Sequence, residues 1–157
     1  MNLQYWLMKS EPDEFSIDDL KKAGKRGSHW DGVRNYQVRN MMRDEMRKND
    51  LAFFYHSSCA VPGIAGVMKI SAEAYPDFTA FDPDDPHFDP KSDPETPRWY
   101  MVDVTFQEKF KRVITLNELR GKSKLASMRV LKRGNRLSIT PVTKAEWNVI
   151  IAMAKQL

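Results

Sequence analysis

Three short polar stretches of the 157-residue chain carry side chains that can bind a ligand. The first is Lys9-Ser10-Glu11, which directly follows the apolar segment YWLM. Three consecutive polar side chains at that point would not contribute to packing of the core. A hydroxyl and a carboxylate can, however, recognise the edge of a base through hydrogen bonds. The alternative is an exposed turn that caps the following helix, and the residues alone leave both interpretations open.

The second stretch, WDGVRN, places Trp30 in a polar segment that contains a glycine. Such a tryptophan either fills the core or forms a platform on which a base stacks, and stacking is worth about 1–3 kcal/mol per base. A stacking tryptophan contributes little to folding, so its replacement by alanine should leave the protein folded. Removing a core tryptophan would instead cost about 3–5 kcal/mol of stability.

Basic residues dominate the third stretch, MRVLKRGNRLS, in which cations surround a Gly-Asn turn. Cations and backbone amides at such a turn suit phosphate oxygens. No acidic residue lies between Glu118 and Glu146, whereas residues 82–97 are acidic and contain five prolines. This asymmetry, with a net charge of +4, indicates a nucleic-acid-binding face, although a solvated surface without a ligand explains the same charges.

The usual patterns of catalytic and metal sites are missing. The sequence has no Gly-x-Ser-x-Gly, Walker loop or GxGxxG pattern, and its histidines, at positions 29, 56 and 87, lack metal-ligand spacing. We therefore expect no metal and no cofactor. The single cysteine, Cys59, and an N-terminus without a signal-like apolar stretch predict a cytoplasmic protein, and no apolar run approaches the length of a membrane span.

Hydrophobic periodicity and capping patterns predict the elements that position these stretches. Strands are expected at residues 4–9, 51–56, 63–70, 99–106 and 136–142. Helices are expected at residues 16–24, from 35, at 115–121 and from 143, the last two opened by capping boxes. Residues 24–34 and 75–97 are predicted as loops, and residues 125–131 are ambiguous.

Short strands interspersed with helices, without a repeating βαβαβ pattern, favour the α+β class over a doubly wound sheet. The length and the lack of an internal linker predict one domain, residues 1–157. One strongly curved sheet or small barrel, with helices packed around it, fits the glycine positions.

Several longer segments match a known family in order along essentially the whole chain, namely YWLMKSEPDEFS, WDGVRNYQVRNMMR, FFYHS, GIAGV, YPD and MRVLKRGNRLSITPVTKAEW. In these segments the chain resembles the EVE domain family of the PUA superfamily. It is more distantly similar to YTH domains, which bind N6-methyladenine in RNA. The resemblance implies a PUA-like curved sheet or pseudobarrel of five or six strands with flanking helices. It also implies a non-enzymatic protein that holds a modified base of DNA or RNA, modified cytosine above all, in an aromatic pocket.

The motifs assign seven residues to that pocket, namely Lys9, Ser10, Glu11, Trp30, Asp31, Asn35 and Ser57. The resemblance implies that Lys9 and Ser10 lie at its mouth, that Trp30 forms a wall, and that Ser57 follows the strand at its floor. It places Asp31 and Asn35 near the bound base. The second aromatic wall has no motif match, and its candidates are Phe78, Phe81 and Trp99.

The expected partner is a nucleic acid that carries a modified base, bound by a monomer without membrane or metal. Phosphate contacts are assigned to four residues of the basic stretch, namely Arg129, Lys132, Arg133 and Arg136. The main alternative is a small PUA-like hydrolase of the ASCH type that acts on modified pyrimidine nucleosides through Lys9 and Glu11. A protein-interaction module that uses the acidic loop is a third possibility.

Overall fold

The computed structural model describes residues 3–157, which form a six-stranded mixed sheet with four α-helices. The strands are β1 (Tyr5–Ser10), β2 (Ser28–Trp30), β3 (Leu51–His56), β4 (Gly63–Pro76), β5 (Tyr100–Thr115) and β6 (Ile139–Val142). The helices are α1 (Ile17–Ala23), α2 (Tyr36–Asp44), α3 (Leu116–Arg120) and α4 (Lys144–Lys155). None of the helices between residues 3 and 157 is long and apolar enough to cross a membrane.

The strand order is β2-β5-β4-β3-β1-β6, so the sheet is open and its edge strands are β2 and β6. Strands β1 and β3 are parallel, and every other pair is antiparallel. Ser10 lies opposite His56, so β1 and β3 end side by side. This mixed α+β architecture confirms the expected fold class.

Alternation along β1 divides the interior into two cores. Trp6 and Met8 face α1, α2 and Phe54 on one side of the sheet. Leu7 faces the other side, where the ring of Trp147 on α4 stacks on Phe53 with centroids 3.9 Å apart.

The four predicted helix starts are confirmed, and a capping side chain is found at each of them. Thr115 and Thr143 form complete capping boxes with the glutamates three residues later. Ser16 forms an equivalent box with Asp19. Asn35 caps α2 by accepting a hydrogen bond from the backbone N–H of Val38 at 3.0 Å.

Three strand predictions were wrong in extent. Strands β4 and β5 are much longer than residues 63–70 and 99–106, since several bulges in their ladder break the alternation used for the prediction. Strand β6 begins only at Ile139, because the side chain of Asn135 accepts from the N–H of Leu137 and holds that segment in a turn. The ambiguous residues 125–131 form parts of two short 3₁₀ turns.

The aspartates of the acidic, proline-rich segment form turns. Five aspartates, at positions 77, 82, 85, 89 and 93, each accept a hydrogen bond from the backbone N–H two residues later. These are Asx turns, in which the carboxylate replaces a missing backbone partner. The segment is therefore locally ordered by its own acidic side chains.

Candidate functional site

One cavity brings together most of the polar residues singled out in the sequence. Its volume is about 680 Å³, within the range of small-molecule pockets. Its lining consists of Lys9, Ser10, Glu11, Glu14, Phe15, Ser28, His29, Trp30, Asp31, Gly32, Ser57, Ser58, His87, Arg136 and Ser138. Six of the seven predicted pocket residues are in this set, and the exception is Asn35.

The cavity lies where the two edges of the curved sheet come together. The β2 edge contributes residues 28–30, and the segment just before β6 contributes Arg136 and Ser138. The end of β1 closes the gap, since the backbone N–H of Lys9 donates to the carbonyl of Ser138 at 2.8 Å. The site therefore depends on contacts between residues that are far apart in sequence.

A second cavity of about 680 Å³ runs along the β6 edge and is lined by Leu3, Gln4, Tyr5, Trp6, Glu45, Pro141, Val142 and Lys144. None of the predicted pocket residues contributes to it. The cavity between the β2 and β6 edges is therefore the better candidate.

Trp30 lies in a strand, and its placement in a loop was wrong. It pairs with Val102 of β5, and only 7% of its surface is exposed. Its ring packs edge-on against Phe54 at 5.4 Å in the core that also contains Met8. Trp30 thus fills the core and lines the cavity at once, so the expectation that its removal would spare folding does not hold.

The two serines and the turn after β1 are held by short hydrogen bonds. The hydroxyl of Ser10 donates to the carbonyl of Phe15 at 2.7 Å, and the N–H of Ser57 donates to the carbonyl of Ser10 at 2.9 Å. Phe15 in turn donates its N–H to the carbonyl of Glu11. Because the Ser10 proton is engaged, the hydroxyl of this lining residue can only accept a hydrogen bond from a ligand.

Lys9 is half-buried, and desolvation by burial lowers the pKa of its ammonium group. The ammonium lies 6.0 Å from the centre of the Tyr55 ring, which belongs to the core on the α4 side. Neither an ion pair nor a side-chain hydrogen bond joins Lys9 to Glu11 within residues 3–157. Both residues line the cavity, so the two residues of the hydrolase alternative lie at one site without direct contact.

A buried carboxylate, that of Asp77, fixes the loop between β2 and α2. It has no exposed side-chain surface and accepts from the Gly32 N–H at 2.9 Å and from Arg34 at 3.0 Å. It also accepts from the N–H and hydroxyl of Thr79. Burial alone would raise the pKa of Asp77, but the bonds from Thr79, Gly32 and Arg34 outweigh burial and lower it.

The same network places His87 in the cavity wall. Arg34 donates two hydrogen bonds to the carbonyl of His87, one of them at 3.2 Å. Gly32 has a φ of +79°, and a Cβ atom added there would lie 2.6 Å from Nε2 of His87. The imidazole therefore packs directly on the Gly32 backbone, which explains the glycine in WDGVRN.

Three carboxylates line the cavity, those of Glu11, Glu14 and Asp31, and Asp31 is the one that follows Trp30 directly. No hydrogen bond reaches its side chain from residues 3–157, and the nearest ionisable nitrogen, Nδ1 of His87, is 3.8 Å away. About a third of the side chain is exposed. Asp31 can therefore accept hydrogen bonds from a ligand.

Asn35 and most of the basic stretch lie outside the lining. The amide oxygen of Asn35 caps α2, so it supports the loop from outside the cavity. Arg136 lines the cavity, whereas the other predicted phosphate ligands, Arg129, Lys132 and Arg133, lie on the adjoining turn. All four side chains are exposed.

None of the three candidates for the second aromatic wall lines the cavity. Trp99 stacks on Tyr36 at 4.8 Å and donates its indole N–H to Asp89. Phe78 is half-exposed and packs edge-on against His29 at 5.0 Å. Phe81 is also outside the lining.

Sequence reasoning missed three other ring-bearing residues of the lining, Phe15, His29 and His87, although the His29 ring packs away from it against Phe78. Phe15 ends the KSEPDEF motif, which was a usable signal. His87 comes from the acidic segment, and nothing in the neighbouring sequence marked it out as a cavity residue. In the described part of the chain, no group of three or more His, Cys, Asp or Glu side chains is placed to hold a metal ion.

Comparison with known proteins identifies close relatives. Human thymocyte nuclear protein 1 is 46% identical over 169 residues, which cover 97% of this chain and 74% of the relative. A solved protein from Pseudomonas syringae is 50% identical with a TM-score of 0.92, covering 96% of this chain and 99% of that one. The human THYN1 protein, solved in complex with DNA containing 5-methylcytosine, is 46% identical with a TM-score of 0.90, covering 97% and 98%.

The expected distant similarity to YTH domains is confirmed at the level of fold. The YTH domain of the Zygosaccharomyces rouxii MRB1 protein gives a TM-score of 0.56 at 14% identity, covering 98% of this chain and 85% of that domain. This likeness concerns the fold alone.

The expected cytoplasmic location is contradicted by the name of the human relative, which describes a nuclear protein. The cysteine count misled here, because cytosolic and nuclear proteins share reducing conditions and one free thiol suits either compartment.

The family resemblance itself is confirmed. The EVE domain profile matches residues 4–153, and relatives of 46–50% identity share the fold over nearly the whole chain. The chain belongs to the EVE domain family.

Proposed function

We propose that this chain is a non-enzymatic reader of a methylated base, 5-methylcytosine in DNA, which it holds in the cavity between the β2 and β6 edges. The observation that carries the proposal is the human THYN1 protein in complex with 5-methylcytosine DNA, at 46% identity. The position of the cavity at the KSEP and WDGVRN motifs supports the same function.

The base must leave its stack to reach the cavity. Extrusion from a duplex costs a few kcal/mol, and stacking on aromatic side chains returns about 1–3 kcal/mol. Trp30 offers a rigid wall, because its ring is locked in the core against Phe54. Phe15 and His87 are further ring-bearing residues in the lining of this cavity, whose volume of about 680 Å³ is ample for one base.

Asp31 is the proposed recognition group for the base edge. Cytosine carries an exocyclic amino group that donates hydrogen bonds, and carboxylates are suited to accept them. Thymine has a carbonyl oxygen at the same position, which the Asp31 carboxylate would repel. Ser10, whose hydroxyl oxygen is an acceptor, lies in the same lining.

The methyl group alone can produce only a modest difference in affinity between 5-methylcytosine and cytosine. One methyl group in an apolar pocket is worth about 1–3 kcal/mol, or roughly 10–200-fold in affinity.

Sequence-independent affinity comes from phosphate contacts of Arg129, Lys132, Arg133 and Arg136, each of which lacks an ion-pair partner within residues 3–157.

We further propose that the chain acts as one EVE domain over residues 1–157 and as a monomer. Binding rather than catalysis is supported by the human THYN1 protein, which was solved in complex with DNA that contains 5-methylcytosine. RNA is an alternative carrier of the base, and the binding experiment distinguishes the two.

The test is a binding panel of matched oligonucleotides that differ at one base, with cytosine, 5-methylcytosine or thymine in DNA and the same methylated base in RNA. The wild-type protein should prefer 5-methylcytosine DNA. Asp31→Asn should weaken that binding by about tenfold or more, the scale of a charge-assisted hydrogen bond.

The matched control is Asp13→Asn, an exposed aspartate outside the lining that carries the same charge change. It should bind like the wild type. Equal affinity of the wild type for cytosine and 5-methylcytosine would refute the proposed function, and turnover of modified nucleosides would support the hydrolase instead.

A further inference from the structure

We propose that a second basic surface, on the opposite edge of the sheet from the basic stretch at 129–136, binds the phosphates on one side of the captured base. We call it the α1 basic turn, and it consists of Lys21, Lys22, Lys25 and Arg26. It covers the end of α1 and the following 3₁₀ turn, Gly24–Arg26. The inference rests on the proposed function, because it concerns nucleic acid bound at the same cavity.

The charged groups of the α1 basic turn are free to bind a ligand. All four side chains are exposed, and within residues 3–157 none makes an ion pair or a side-chain hydrogen bond. Two cations elsewhere on the surface are paired instead, Lys109 with Asp18 at 2.7 Å and Arg112 with Glu118 at 2.7 Å. Unpaired cations in one turn are the arrangement that attracts phosphate oxygens.

A shallow groove accompanies these charges. It has a volume of about 370 Å³ and is lined by Lys21, Gly24, Lys25, Thr105, Phe106 and Gln107. The ammonium of Lys21 lies 6.0 Å from the centre of the ring of Phe106, which also lines the groove. A concave basic surface of this kind complements the charge of a nucleic-acid backbone.

The α1 basic turn is held in a fixed position relative to the cavity. Gly27 follows it with a φ of +67°, and a Cβ atom added there would lie 2.2 Å from the carbonyl oxygen of Val104. Only glycine allows β2 to pair with β5 so closely after the turn. Strand β2 then leads directly into the lining through Ser28 and Trp30.

The spacing suits a strand of nucleic acid. From Arg26 to Trp30 the chain spans at most about 14 Å, and a stacked strand advances about 3.4 Å per nucleotide. The α1 basic turn therefore lies within about four nucleotides of a base at Trp30. Arg136 and its neighbours lie at the other sheet edge, so phosphates on both sides of the base have cations to meet.

The experiment compares two charge-neutralised variants with the wild type on DNA that carries one central 5-methylcytosine. The first variant is Lys21→Gln, Lys22→Gln, Lys25→Gln and Arg26→Gln. The matched control, Lys48→Gln, Lys91→Gln, Lys144→Gln and Lys155→Gln, removes four exposed cations that do not line the cavity. Circular dichroism melts establish that both variants are folded.

The first variant should bind methylated and unmethylated DNA more weakly by the same factor. Its plot of log affinity against log salt should be shallower by about 0.9 for each lost phosphate contact. The control should keep the wild-type slope. Shortening the DNA to two nucleotides on one side of the base, but not on the other, should remove the difference between variant and wild type.

An unchanged salt slope, or a loss matched by the control variant, would overturn the inference. So would a loss that persists whichever side of the DNA is shortened. These outcomes are distinct from failure of the proposed function, which appears in the wild type as equal binding of methylated and unmethylated DNA.

Discussion

Replacing Asp77 with asparagine tests whether a buried carboxylate fixes the cavity wall. Asp77→Asn keeps the size of the side chain but removes the charge, and its amide N–H₂ must face a donor on Gly32, Arg34 or Thr79. A hydrogen bond to a charged group contributes about 1.5–3 kcal/mol. The Arg34 partner is a quarter exposed, so water compensates part of its loss. We therefore expect a destabilisation of about 2–4 kcal/mol at neutral pH.

The assay is urea denaturation as a function of pH, with Asp82→Asn as the control. Asp82 is exposed and forms the same kind of Asx turn, with the N–H of Asp84, but contacts neither Gly32 nor Arg34. Asparagine also supports such a turn, so the control should cost less than about 0.5 kcal/mol.

The pH dependence follows from the lowered pKa of Asp77 in the folded protein. Because the pKa of Asp77 is lower in the folded protein than in the unfolded chain, its charge stabilises the fold. This stabilisation is complete at pH values above the pKa of an unfolded aspartate, about 3.9. The advantage of the wild type over Asp77→Asn should therefore be constant near neutrality and shrink as the pH falls below about 4. Equal stability of the Asp77 and Asp82 variants, or a difference that does not change with acidity, would refute this account.

Substitutions at four further positions probe the core, the cavity wall and a helix cap. Trp30→Ala and Trp147→Ala should each lower the free energy of unfolding, measured by urea denaturation, by about 3–5 kcal/mol. Trp30→Phe should stay folded but lose base binding. Trp147→Phe, its control, should bind the base normally. Gly32→Ala should cost about 1–3 kcal/mol and weaken 5-methylcytosine binding, because the added methyl group displaces the His87 ring; unchanged binding would contradict that contact. Thr143→Ala should cost about 0.5–2 kcal/mol through the lost cap of α4 without affecting binding, and a binding defect would contradict its distance from the cavity.

Local signals predicted the parts of this fold that local interactions determine. The helix starts at Asn35, Thr115 and Thr143 were correct, because a capping side chain bonds to a backbone N–H three residues later. Strand β3 was correct because its apolar run is short and uninterrupted. Strand β2 was missed, because three residues carry no periodicity and their pairing partner is Val102 and its neighbours, far along the chain.

The residues of the candidate site also fall into those that local sequence signals reveal and those that they do not. Ser10, Asp31 and Ser57 were found through motifs that lie at strand ends, and the parallel register of β1 and β3 brings two of them together. His87 was not found, because its position depends on Arg34 binding its backbone carbonyl from over fifty residues away. Trp30 lines the cavity, but its burial depends on packing against Phe54, which the sequence around it does not reveal.

The most direct test of the central claim is the affinity of the wild-type protein for two DNA duplexes that differ only in one methyl group on cytosine. Measured by titration calorimetry at the same salt concentration, the methylated duplex should bind roughly 10-fold tighter or more, within the limit of about 200-fold for one methyl group. Raising the salt should weaken both complexes together and preserve their ratio, since phosphate contacts are common to both. A ratio of one at every salt concentration would contradict the account.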